Sequence, residues 1–79
     1  MELKLTTSTT LSFALPVTSN VLLEVYDING RLINELIKSN MDAGYHSVIW
    51  NADNNASGVY FVKMVAGDFV NTQKLMLVK

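Results

Sequence analysis

Apolar and polar residues alternate along most of this chain with a period of two. Leu11, Phe13 and Leu15 are separated by Ser12 and Ala14, which predicts a strand with one buried face. Leu3 and Leu5, set between Glu2 and Lys4, predict an earlier, short strand. Pro16 has no amide hydrogen and cannot sit inside a central ladder, so residues 16–20 read as a turn. Val21, Leu23 and Val25 then form one face, with Leu22, Glu24 and Tyr26 opposite.

DINGR, residues 27–31, contains Asn29-Gly30, the pair that a type I′ hairpin turn favours because both central residues need positive φ. RLINELIK is ambiguous. Leu32, Ile33, Leu36 and Ile37 fit a helical spacing, whereas the turn before them and the β-rich surroundings favour a strand. We read a strand. Residues 40–44 read as a loop. HSVIW places His46, Val48 and Trp50 on one face, with Tyr45, Ser47 and Ile49 on the other. Residues 51–58 are rich in Asn, Asp, Ser and Gly, which turns favour. VYFVKMV is almost wholly apolar and predicts a central strand. Ala66-Gly67-Asp68 predicts a tight turn, and the last stretch again alternates, with Leu75 and Leu77 against Met76 and Val78. Six to seven strands spaced about ten residues apart, with no firm helix, predict an all-β protein, a small antiparallel β-sandwich. The whole chain, residues 1–79, reads as one domain, and Met1 reads as the start of a domain excised from a larger precursor.

Composition narrows the function. The chain has 79 residues, no cysteine and a net charge of −1. No thiol nucleophile or Cys-ligated metal is available. The near-neutral charge offers no electrostatic footprint for nucleic acid. The 49% hydrophobic content is too high for a disordered tail. No apolar run reaches the length of a transmembrane helix, and the opening residues lack the pattern of a secretory signal peptide. His46 is the sole histidine and reads as a strand residue beside Trp50. Asp53, Asn55, Ser57 and Gly58 resemble the opening of a calcium loop, but the twelfth position, where a bidentate Glu belongs, is Met64. They read as a turn-rich loop. Glu24 and Glu35 fall on different predicted strands, so nothing fixes a catalytic carboxylate pair. Tyr26, Tyr45, Trp50, Tyr60, Phe61 and Phe69 could line a sugar-binding face, but they read first as core. Neither a catalytic residue nor a metal or cofactor site is assigned, and the chain is expected not to be an enzyme.

Five pieces in order carry a resemblance. They are LSFALP (11–16), VLLEVYDINGRLI (21–33), AGYHSVIWN (43–51), ASGVYFVKM (56–64) and TQKLMLVK (72–79). The chain resembles the type A C-terminal sorting domain of type IX secretion substrates, which ends many large exported proteins of the Bacteroidetes. That resemblance implies an immunoglobulin-like sandwich attached to an N-terminal cargo. It implies passage through the periplasm, recognition by the outer-membrane translocon, and removal by a sortase-like surface peptidase. The cargo then stays on the outer-membrane surface or is released outside. The family's signal positions carry over to Gly58, Val59, Tyr60 and Phe61, and to Lys74, Leu75, Leu77, Val78 and Lys79. Gly30 and Arg31 match its hairpin position. Lysines flanking a terminal apolar strand discourage aggregation while leaving its edge open to a partner. Strand edges also suggest a homodimer. The rival reading is an immunoglobulin-like accessory or binding module, for carbohydrate or assembly, akin to that of flagellar hook-capping proteins.

Overall fold

The computed structural model describes residues 8–78. The short strand expected around Leu3 and Leu5 lies outside them. Six strands follow in order: β1 (Ser8–Leu15), β2 (Ser19–Asp27), β3 (Leu32–Met41), β4 (Gly44–Asn51), β5 (Gly58–Ala66) and β6 (Phe69–Leu77). All pairings are antiparallel. β1 and β4 form a two-stranded sheet, and the other four form a sheet in the order β3-β2-β5-β6. The all-β sandwich expected from the pattern is thus observed.

Alternation decides which residues meet between the sheets. Leu11, Phe13 and Leu15 of β1 turn inward, as do Val21, Leu23 and Val25 of β2. β5 sends in Tyr60, Val62, Met64 and Ala66. It lies between β2 and β6, the central position its apolar run predicts. Trp50 of β4 is 1% exposed and stands edge-on to Tyr60 at 5.3 Å between ring centroids. Its indole nitrogen donates to Asn34 Oδ1 of β3 at 2.9 Å. A buried indole N–H left without an acceptor would carry the full desolvation penalty, so Asn34 lets Trp50 bury completely.

β3 explains its own ambiguous sequence. Its register against β2 slips twice. Leu23 pairs with Ile37 but Glu24 with Glu35, and Val25 pairs with Asn34 but Tyr26 with Leu32. Leu36 and Ile33 are therefore the extra residues of two bulges. Each bulge resets which face the following side chain takes. Ile33, Leu36 and Ile37 all pack against the core, at a spacing that imitates a helix although the backbone is extended. The loop expected over residues 40–44 is shorter than predicted. β3 runs on through Met41, where Asn40 Nδ2 donates to Asn20 Oδ1 at 3.0 Å.

The β2–β3 turn also differs from its expected type. Asn29 does not take positive φ; Gly30 alone does, at +81°. Asp27 and Arg31 close the loop, with Asp27 N–H donating to Arg31 O and Gly30 N–H to Asp27 O, both at 3.0 Å. Asp27 Oδ1 also accepts from the amides of Asn29 at 2.8 Å and Arg31 at 2.9 Å. A carboxylate that gathers two loop amides favours this three-residue loop ending in a left-handed glycine over the two-residue type I′ turn.

Replacing Trp50 by Ala removes the central inter-sheet contact and leaves Asn34 unpaired. We expect a loss of about 3–5 kcal/mol in urea denaturation, enough to unfold much of a domain this small. A loss below about 1 kcal/mol would mean that the sheets are held by something other than this ring.

Candidate functional site

The residues singled out from sequence come from two separated stretches, and the β5–β6 register brings them together. Gly58 pairs with Leu77, Val59 with Met76, Tyr60 with Leu75 and Phe61 with Lys74. The start of β5 and the end of β6 form one corner of the large sheet. Within that corner the side chains divide by face. Tyr60, Leu75 and Leu77 turn toward the core. Val59 and Phe61 turn outward with Lys74, Met76 and Val78. Lys79 lies outside the described residues. Gly30 and Arg31 sit in the β2–β3 turn and are not part of the corner.

Tyr60 anchors the corner from inside. Its hydroxyl donates to Ala56 O at 2.6 Å, which ties the preceding loop to the sheet, while its ring abuts Trp50. Gly58 makes the entry into β5 at φ +150°, a conformation that a side chain disfavours. Lys74 and Val78 flank Met76, which is 65% exposed. Met76 escaped the sequence reading, although the alternation Lys74, Met76, Val78 carried the signal. Among the described residues β6 pairs only with β5, so none of them pairs the backbone groups of its other edge, which suits the addition of a partner strand.

The remaining candidates lie elsewhere. His46 pairs with Phe13, and their rings stack at 5.4 Å. His46 Nε2 lies 2.7 Å from Asp42 O; a carbonyl only accepts, so this nitrogen donates. Met64, the twelfth position of the calcium-like pattern, is buried on β5 and presents nothing to a cation. The loop before β5 is instead shaped by its own bonds, Asn55 N–H to Ala52 O and Asp53 N–H to Asn51 Oδ1, both at 3.0 Å. The aromatic residues do not form one platform. Trp50 and Tyr60 are core, Tyr26 pairs with Phe61 on the outer face of the large sheet, and Tyr45 is on β4 of the other sheet, 92% exposed. Phe69 opens β6, beyond the far end of the corner.

Residues 5–79 match the family described as the secretion system C-terminal sorting domain. The chain belongs to that family. Its role is that of the C-terminal sorting signal of type IX secretion, which directs export to the outer-membrane surface or extracellular space. Such a domain is the C-terminal extension of a cargo protein and interacts with the type IX machinery. The sorting family is not a catalytic one. Comparison with curated proteins and with solved structures gave no match.

Two measurements probe how the corner and its neighbour Tyr26 are built. Tyr60→Phe deletes the bond to Ala56, and we expect urea denaturation to show a loss of about 1 kcal/mol. An unchanged midpoint would mean that the loop needs no such tie. Tyr26 Oη donates to Glu24 Oε1 at 2.7 Å. That bond, with lesser help from desolvation and from the carboxylate's charge, holds the phenol above its ordinary pKa. Because the folded value is raised, the contribution is present below the unfolded pKa and is lost as pH rises through the folded one. Ultraviolet titration should show the Tyr26 phenol titrating late, and that delay should be lost in Glu24→Ala, which removes the acceptor.

Proposed function

We propose that the β5–β6 corner is the part of this sorting domain that the type IX translocon reads. The register from Gly58↔Leu77 to Phe61↔Lys74 is the observation that carries the reading. It joins into one surface the residues that the family resemblance marks separately. Inward Tyr60, Leu75 and Leu77 fix the strand pair. Outward Val59, Phe61, Lys74 and Val78, with Met76, supply an apolar patch bearing a cation. The partner adds along the free edge of β6 and packs on this face, so backbone pairing gives affinity and the side chains give specificity. Lys79 belongs to the same address.

Around that contact we place the rest of the pathway that the resemblance implies. Residues 1–79 act as one domain at the end of a cargo. The precursor crosses the periplasm, and a sortase-like surface peptidase removes the domain at or before its N-terminal edge. The cargo is then anchored or released. A homodimer through strand edges is a competing use of the same β6 edge, and a monomer by light scattering across a wide concentration range would remove it. The binding-module alternative finds no support in the scattered aromatic residues described above.

The test is export of a fluorescent carrier that has a periplasmic signal at its front and residues 1–79 at its end. In a host with a working translocon, Lys74→Glu combined with Met76→Asp should abolish extracellular fluorescence while leaving the denaturation midpoint nearly unchanged, because both side chains point to solvent. Deletion of residues 74–79 should do the same. Normal export by the folded double variant would reject the outer face as the surface that is read. Export by neither the parent fusion nor the variants would reject the sorting role itself.

A further inference from the structure

The two ends of the described chain lie at one pole of the sandwich. β1 begins at Ser8 opposite Asn51, and Thr9 pairs with Trp50. Trp50 touches Tyr60, Tyr60 pairs with Leu75, and Gly58 with Leu77. This row runs from the first residues of β1 to the last of β6. Thr9 and Leu75 also border the same cleft of about 260 Å³ between the sheets. At the opposite pole, Leu15 and Pro16 meet Asp68 and Phe69 around another cavity. β1 and β6 therefore run in opposite senses, and the chain enters the fold beside the place where its final strand leaves.

A cargo attached ahead of Ser8 therefore emerges next to the candidate address. A carrier of about 240 residues has a radius of gyration of roughly 18 Å. The nine residues of β6 extend only about 30 Å. A carrier joined directly to Ser8 would overhang the Lys74–Val78 end of that strand. Seven residues of extended chain reach about 23–25 Å, enough to move the carrier clear. The inner side of β6 faces the cleft and core, and the pole is taken by the cargo. Once the carrier is clear of that end, the outer face and free edge of β6 are what a partner can reach.

We propose that export requires a minimum length of chain between cargo and Ser8, because the cargo otherwise covers the strand by which its own address is read. The requirement is for length and not for sequence. This inference rests on the corner being the surface that the translocon reads.

The experiment compares four fusions of the fluorescent carrier. One carries residues 1–79. One joins the carrier directly to Ser8. One replaces residues 1–7 by seven Gly and Ser residues. One adds fourteen such residues ahead of Met1. All should show the same urea midpoint for the domain. We expect the direct fusion to lose extracellular fluorescence by at least about tenfold, since a linker too short for its span reduces engagement toward zero. The Gly/Ser replacement should restore it. Equal export by the direct fusion would overturn the inference and leave the sorting role intact. Failure of the Gly/Ser replacement, with the full chain exported, would also overturn it, because sequence or folding would then matter and not length. Failure of all four would defeat the sorting reading and this inference together.

Discussion

Trp50 is the constraint from which the rest of the structure follows. Among the described residues the small sheet has two strands, so it contributes few large side chains to the interior. A single indole at the end of β4 reaches the large sheet, meets Tyr60 of β5 and is satisfied by Asn34 of β3. Three strands from both sheets are thereby held by one side chain. Tyr60 passes the constraint on to Ala56 through its hydroxyl and to Leu75 through the ladder. The corner that carries the candidate address is thus built outward from the core. This arrangement suits a small domain, where the buried fraction of the surface is low and each large side chain counts for more.

Where sequence reasoning succeeded, one physical variable decided the outcome. β1, β2 and β4 have one face in and one face out, and simple alternation located their inward residues. β5 is flanked on both sides and its outer face is also apolar, so its continuous run was enough. Where two variables competed, the reading was less direct, although β3 is the strand that was read. β3 has bulges at Ile33 and Leu36, and a bulge breaks the period on which any strand reading rests. Its spacing looked helical because two bulges three residues apart keep apolar side chains on one side at intervals a helix would also use. The turn at Gly30 was located correctly but typed wrongly. The dipeptide Asn-Gly favours one turn, while the Asp27 carboxylate, two residues earlier, favours another by gathering loop amides.

The candidate site was legible only in part, for a related reason. The resemblance marked stretches of sequence, and a stretch of strand always mixes two faces. Val59 and Phe61 were named together with Tyr60, although Tyr60 serves the core and the other two face solvent. Met76 was passed over because the resemblance marks Leu75 and Leu77 and not the position between them. Yet it is Met76 that stands exposed. Pairing information, which no single stretch contains, was needed to separate residues that support the corner from those available to a partner.

The same division explains how a sequence can be both a fold and an address. A strand at the edge of a sheet is a hazard, because unpaired backbone groups invite association. The opposite seam of this sandwich shows one way to limit the hazard: β3 is twice bulged, carries Glu35 and Lys38, and is bridged to β4 through Asn34 and Trp50. β6 shares only the charge, a single Lys74; its register against β5 is unbroken from Phe69 to Leu77. Its middle is polar, with Asn71, Thr72 and Gln73 all exposed, and it separates the apolar corner from the exposed Phe69 and Val70 at the strand's start. A regular, open edge whose apolar parts are short and kept apart limits indiscriminate pairing and still offers a defined partner a straight template. The asymmetry between the two seams leaves one edge guarded and the other straight, which is what strand addition at a single address requires.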